Sequence, residues 1–147
     1  MHLDPPDPPA SPSVLEAIET SDVLVLGPGS WFTSVMPHLL VPQIVEAIMD
    51  SDALKILTLN VAGADETNGF SPARHLEVLA EHEPRIRFDV VLADRSFARS
   101  DPHLGTFARN LGARIVEADL AMHDGSARHD PLRLASAYAE VMGVHIR

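Results

Sequence analysis

Apolar positions along the chain fall into short runs separated by stretches of helical periodicity. Residues 23–26 (Val-Leu-Val-Leu), 54–59 and 88–93 are almost unbroken apolar segments, and residues 114–118 form a fourth, more mixed one. Runs of this length bounded by turn residues predict strands. Between them Val14, Leu15 and Ile18 recur at helical spacing, as do Leu39, Leu40, Ile44, Val45 and Ile48. Leu76, Leu79 and Ala80 mark a third helix, Leu104, Phe107, Ala108 and Leu111 a fourth, and Leu134, Ala135, Tyr138, Val141 and Met142 a last one. Ser13 is expected to cap the first helix, and Pro42 to stand in the first turn of the second, where a missing N–H does no harm. Ser71-Pro72 opens the third, Gly112 stops the fourth, Asp130-Pro131 starts the last and Gly143 ends it.

Strands that alternate with helices, most of them too apolar for one wet face, predict a mainly parallel sheet of four strands covered on both faces. The expected fold is α/β, three-layered and Rossmann-like, over residues 13–147. Residues 1–12, which hold Pro5, Pro6, Pro8, Pro9 and Pro12, form an irregular proline-rich segment that cannot pair as a central strand. The strand ends at Gly27, Asn60, Asp94 and Asp119 would then share one edge, outside which open parallel sheets bind ligands.

The stretch with the most chemistry begins at the first of these ends. Gly27-Pro28-Gly29-Ser30-Trp31-Phe32-Thr33-Ser34 carries two glycines that let a backbone approach a ligand, three hydroxyl side chains and the start of a helical pattern. A helix N-terminus offers unpaired N–H groups and partial positive charge, so phosphate is the natural occupant; an ordinary turn with Ser30 as N-cap is the simpler alternative. The spacing lacks the third glycine of a dinucleotide fingerprint and the Gly-Lys-Ser/Thr of a Walker loop. Ser30 lacks the flanking glycines of a hydrolase elbow.

Composition narrows the partners. A formal net charge of −10 opposes nucleic acid. There is no cysteine, hence no disulfide, thiolate chemistry or Cys-based zinc site. No secretory segment or spanning-length apolar run is present, and the expectation is a cytoplasmic protein without membrane insertion.

The residues also resemble a known family. The stretch 27–42, Gly-Pro-Gly-Ser-Trp-Phe-Thr-Ser-Val-Met-Pro-His-Leu-Leu-Val-Pro, is similar to the Gly-Pro-Gly-Ser-aromatic-Thr-Ser-x-x-Pro-x-Leu-Leu-Val-Pro motif of the gluconeogenesis-factor (YvcK-type) branch of the YvcK/CofD family, in an actinobacterial form. Glu66-Thr67-Asn68-Gly69-Phe70-Ser71 with His75 and Leu76, and Asp124-Gly125 followed by Arg128-His129-Asp130, resemble two further family motifs. The resemblance covers the family's C-terminal half; its Gly-Gly-Gly-Thr-Gly first half has no counterpart in these 147 residues. CofD-type 2-phospholactate transferases carry Gly-Pro-Ser-Asn-Pro where Gly27-Pro28-Gly29-Ser30-Trp31 stands here.

The resemblance implies a non-catalytic regulator that binds a nucleotide sugar such as UDP-N-acetylglucosamine, linked to cell-wall synthesis, cell shape and growth on gluconeogenic carbon. The alternatives are a CofD-like transferase of deazaflavin coenzyme synthesis and a non-catalytic interaction module. Candidate ligand-binding residues are Gly27, Pro28, Gly29, Ser30, Thr33, Ser34, Asn60, Glu66, Thr67 and Arg128. Arg128 offers a planar fork suited to a diphosphate. No resident cofactor or metal is expected, Mg2+ entering only with a diphosphate; Asp119, His123, Asp124 and His129 lack a recognised ligand spacing. Trp31 and His75 are assigned to packing. A homo-oligomer is expected.

Overall fold

The computed structural model describes residues 3–63 and 67–145, with side chains through residue 143. Its sheet has four parallel strands in the order β1-β2-β3-β4: β1 (Val23–Leu26), β2 (Leu54–Thr58), β3 (Val90–Asp94) and β4 (Arg114–Ala118). Sequence neighbours are therefore spatial neighbours throughout. The register pairs Val25 with Ile56, Leu57 with Val91 and Leu92 with Val116.

Strand alternation sends the apolar runs into two cores, as the sequence predicts. Leu57, Leu59, Val91 and Ala93 face one side, where they meet Val45 of α2 (Pro42–Asp50), Leu76 and Leu79 of α3 (Pro72–His82) and Leu104 and Ala108 of α5 (Leu104–Asn110). Ile56, Val90 and Leu92 face the other, against Ala137 and Val141 of α6 (Pro131–His145). Ile56, Leu57, Val90, Val91 and Leu92 have no exposed surface. Each such side chain stabilises the fold by about 1.5–3 kcal/mol through burial. Thr58 puts a hydroxyl into the α6 layer and is satisfied there by the Tyr138 hydroxyl at 2.7 Å.

Several boundaries differ from expectation for local reasons. Helix α1 (Pro12–Thr20) starts one residue before Ser13; Ser11 holds the N-cap position and its hydroxyl meets that of Ser13 rather than the backbone. Strand β2 stops at Thr58, and β3 is shifted to residues 90–94. Helix α6 runs on through Gly143 to His145.

The apolar positions from Leu39 to Ile48 do not form one helix. A wide π-turn (Trp31–Val35) leads into a tight 3-10 segment (Met36–Leu40), and α2 starts afresh at Pro42, whose missing N–H and fixed φ suit a first turn. The short α4 (Arg95–Arg99) has too few apolar positions to show in the periodicity; it exists because Asp94 caps it. Ser71 caps α3 as expected, its hydroxyl accepting from the Arg74 N–H at 3.2 Å. Asp130 caps α6 through the N–H groups of Leu132 and Arg133. Among the described residues no single helix is long and apolar enough to cross a membrane.

Candidate functional site

The carboxyl edge of the sheet gathers the 27–34 turn, Asn60, Asp94 and the 119–130 segment. The turn is shaped by its first glycine. Gly27 has φ +77°, and a Cβ there would lie 2.5 Å from the Thr58 carbonyl oxygen, so β1 can leave the sheet this close to β2 only without a side chain. The following peptide, Gly27–Pro28, is cis.

Gly29 is then held from both sides by one residue. Its N–H donates to the Asn60 side-chain oxygen at 3.1 Å, and its carbonyl accepts from the Asn60 amide at 2.9 Å. Asn60 thus fixes the orientation of the turn. Past this clamp Ser30 occupies the N-cap position without a side-chain cap bond; its carbonyl accepts from the Ser34 N–H at 2.8 Å and its hydroxyl from that of Thr33. Thr33 and Ser34 are exposed, while Gly27, Pro28, Gly29 and Ser30 are half-buried.

An aromatic anchor holds the turn from below. Trp31 is buried and meets His75 edge-to-face, with ring centroids 4.9 Å apart. Phe70 and Phe97 add edge contacts to the same imidazole at 5.5 and 5.9 Å. The His75 Nδ1 lies 2.8 Å from the Ser71 carbonyl, as a donor in the neutral ring. Burial pushes the His75 pKa down, the bond to Ser71 opposing it. Trp31 and His75 therefore pack, as the sequence analysis assigns them.

The far side of the edge is organised by Asp94, whose role the sequence analysis missed. Asp94 is 3% exposed. Oδ1 accepts from the N–H and hydroxyl of Ser96 at 2.9 and 2.8 Å and from the Phe97 N–H; Oδ2 accepts from Leu120 N–H at 2.9 Å and Ala121 N–H at 3.2 Å. Burial alone would raise its pKa, but the donors of Leu120, Ser96 and Phe97 prevail and hold it below the usual carboxylate range. One buried charge thereby caps α4 and secures the segment leaving β4. An Asp followed two residues later by Ser at a strand end was the available signal.

That segment folds back on itself. Met122 N–H donates to the Arg128 carbonyl at 2.8 Å, Asp130 N–H to the Leu120 carbonyl at 2.7 Å, and Ala121 bridges His129. The His129 ring donates to the Leu59 carbonyl, and burial lowers its pKa, with that bond and the Asp94 charge opposing. Leu59 precedes Asn60, so this contact sets His129 at the carboxyl end of β2, next in sequence to the residue that clamps the turn. The exposed Arg128 guanidinium lies close enough to Asp124 to help hold that carboxyl below its ordinary range, whereas Arg133 is engaged by Asp119 and His123. Among the described residues no group of three His, Asp or Glu side chains is placed to hold a metal ion.

Two further candidates separate. Thr67 is 1% exposed, and its carbonyl accepts from Phe70 N–H at 2.8 Å. Glu66 lies outside the described residues.

The comparisons fit this architecture. Residues 1–130 match the model of the family described as 2-phospho-L-lactate transferase CofD. A protein of Mycobacterium leprae, named as a candidate gluconeogenesis factor, is 43% identical over 141 residues, covering 93% of this chain and 39% of its own length. The like-named protein of Mycobacterium tuberculosis H37Rv is 43% identical over 140 residues, covering 92% of this chain and 41% of its own. In each the match falls in the C-terminal part, so the chain spans about two fifths of these relatives. The crystal structure of protein BH3568 from Bacillus halodurans superposes with a TM-score of 0.77 at 30% identity, over 94% of this chain and 49% of that one. These matches show that this chain belongs to the CofD/YvcK family.

Proposed function

We propose that the 27–34 turn faces the phosphates of a nucleotide sugar of the UDP-N-acetylglucosamine type, and that the protein is a non-catalytic regulator tying cell-wall synthesis and cell shape to central carbon metabolism. The observation that carries this reading is the two-sided clamp of Asn60 on Gly29. It holds a glycine-containing turn rigid at the carboxyl edge of a parallel sheet, with the hydroxyls of Ser30, Thr33 and Ser34 along its rim. A turn held in one conformation, with serine and threonine hydroxyls along its rim, suits an anion. Arg128 adds a planar cation on the segment that leaves β4 at the same carboxyl edge. Asn60 and Thr67 then support the site from within rather than touch the ligand. The names of the Mycobacterium relatives favour the regulatory assignment.

A second reading, a CofD-like transferase acting on a phosphorylated substrate, is favoured by the description of the matching family model. Against it stands the Gly29-Ser30-Trp31 sequence, where the transferases carry Ser-Asn-Pro.

Titration calorimetry with UDP-N-acetylglucosamine in Mg2+ tests the first reading. Saturable binding is expected, weakened about tenfold or more in Arg128→Ala, as for loss of a charge-assisted bond. Absence of binding together with transfer of a phospholactyl group would replace it by the second.

A further inference from the structure

Two segments that leave the sheet meet at one side chain, that of His129. Just past the end of β2 the Leu59 N–H still donates to the Leu92 carbonyl at 2.9 Å, while the Leu59 carbonyl accepts from the His129 ring. Leu59 has no exposed surface, so water is not at hand for that carbonyl and the imidazole supplies the donor it needs.

The state of the ring follows from its partners. The His129 Nε2 is buried and has no hydrogen-bond partner among the described residues. The nitrogen that donates to Leu59 is therefore Nδ1, and Nε2 is the bare nitrogen of a neutral imidazole. The backbone of His129 is fixed from the other side. Ala121 bridges it, and the Ala121 N–H is taken by the buried Asp94 carboxylate at 3.2 Å. Its chain neighbours are Arg128, whose carbonyl accepts from the Met122 N–H, and Asp130, which caps α6.

What the Leu59 bond does depends on the peptide it grips. The Leu59 carbonyl and the Asn60 N–H belong to one planar unit. Fixing the direction of that carbonyl fixes the plane entering Asn60, and with it the point from which the Asn60 side chain reaches Gly29. That side chain serves both the N–H and the carbonyl of Gly29, so a tilt of Asn60 would lose both bonds together. We propose that His129 is a positioning residue: its Nδ1–H orients the Leu59–Asn60 peptide, aims the Asn60 amide at Gly29, and so couples the Arg128 segment to the conformation of the 27–34 turn. A ligand that orders one of them orders the other. The consequence for affinity rests on the nucleotide-sugar reading; the coupling itself is measured without ligand.

Three readouts test it. Long-range proton–nitrogen correlation of the wild-type imidazole should show Nδ1 protonated and Nε2 bare; the reverse tautomer would overturn the proposal, and this readout needs no variant to fold. His129→Asn places an amide N–H near the position of Nδ1, whereas His129→Gln carries it further out, near Nε2. In His129→Gln, exchange of the Gly29 amide should be about tenfold faster than in wild type, beyond any change at Leu92, which reports opening of the sheet. Calorimetry with UDP-N-acetylglucosamine in Mg2+ should show binding weakened about tenfold, the change expected for one lost hydrogen bond. His129→Asn should restore both to within about threefold of wild type. In Asn60→Ala the clamp is already gone, so adding His129→Gln should leave Gly29 exchange where it was.

Gly29 exchange that merely follows Leu92, a His129→Asn protein no better than His129→Gln, additive effects in the double variant, or unaltered affinity in His129→Gln would each overturn the proposal. A wild type that does not bind the nucleotide sugar would overturn that reading alone, and the tautomer and exchange results would still decide this one.

Discussion

Replacing Asp94 removes the carboxylate that ties the end of β3 to α4 and to the segment carrying Arg128. In Asp94→Ala the Leu120 N–H, in a residue with no exposed surface, loses its 2.9 Å acceptor. A buried donor left unpaired costs about 1–3 kcal/mol. The cap of α4 is lost as well, typically about 1 kcal/mol. The sum, about 2–4 kcal/mol, corresponds in a domain of this size to a melting temperature lower by roughly 6–15 °C. Asp94→Asn keeps one acceptor for Ser96 and Phe97 but presents an amide to a second pair of donors, and should cost about 2 kcal/mol.

The pH dependence follows from the sign of the shift. Because the folded carboxyl titrates below its ordinary value, its contribution is fully present above about pH 4 and disappears as pH falls through the lower folded value. The gap in stability between wild type and Asp94→Asn should therefore be widest near neutrality and narrow in acid. Urea unfolding at several pH values measures it, and amide exchange should show residues 119–130 opening in the variant. An Asp94→Asn protein within 0.5 kcal/mol of wild type at pH 7, with unaltered exchange there, would refute the reasoning.

Other perturbations separate packing from conformation. Gly27→Ala, with φ +77° and a carbonyl 2.5 Å from the new Cβ, should destabilise by about 2–4 kcal/mol, whereas Gly125→Ala, at φ +83° with nothing within 4 Å, should cost only the backbone strain of about 1 kcal/mol; thermal melts compare them. Tyr138→Phe leaves the buried Thr58 hydroxyl without its partner and should cost about 1–2 kcal/mol by urea unfolding. His75 has its pKa lowered by burial, so the stability tied to its neutral ring is present above about pH 6.5 and falls as pH drops toward the folded value; His75→Phe should flatten that part of the profile.

The sheet was legible because burial on both faces makes β2 and β3 largely apolar and because β1, though only partly buried, is apolar throughout; its helices were legible because their apolar stripes recur at 3.6-residue spacing. The 31–40 region misled for a definite reason. Trp31, Val35, Met36 and Leu39 lie in the core at spacings of four, one and three, which a π-turn and a 3-10 segment satisfy as well as an α-helix does. Helix α4 was invisible because its cause, the Asp94 cap, is polar and local. The glycines marked the turn, but what holds it open, the side chain of Asn60, lies 31 residues away. That pairing depends on the β1–β2 register, which no local pattern encodes. Likewise the contact of His129 with the Leu59 carbonyl is a consequence of how the β4 exit folds back, anchored by a buried aspartate.

Mapping the backbone amide signals of the protein while UDP-N-acetylglucosamine is added tests the central claim most directly. The largest displacements should fall on Gly29, Ser30, Thr33 and Ser34, with a second set near Arg128, and should saturate together. Displacements confined to the β4 exit or scattered over the surface, with Gly29 and Ser30 unmoved at saturation, would contradict it.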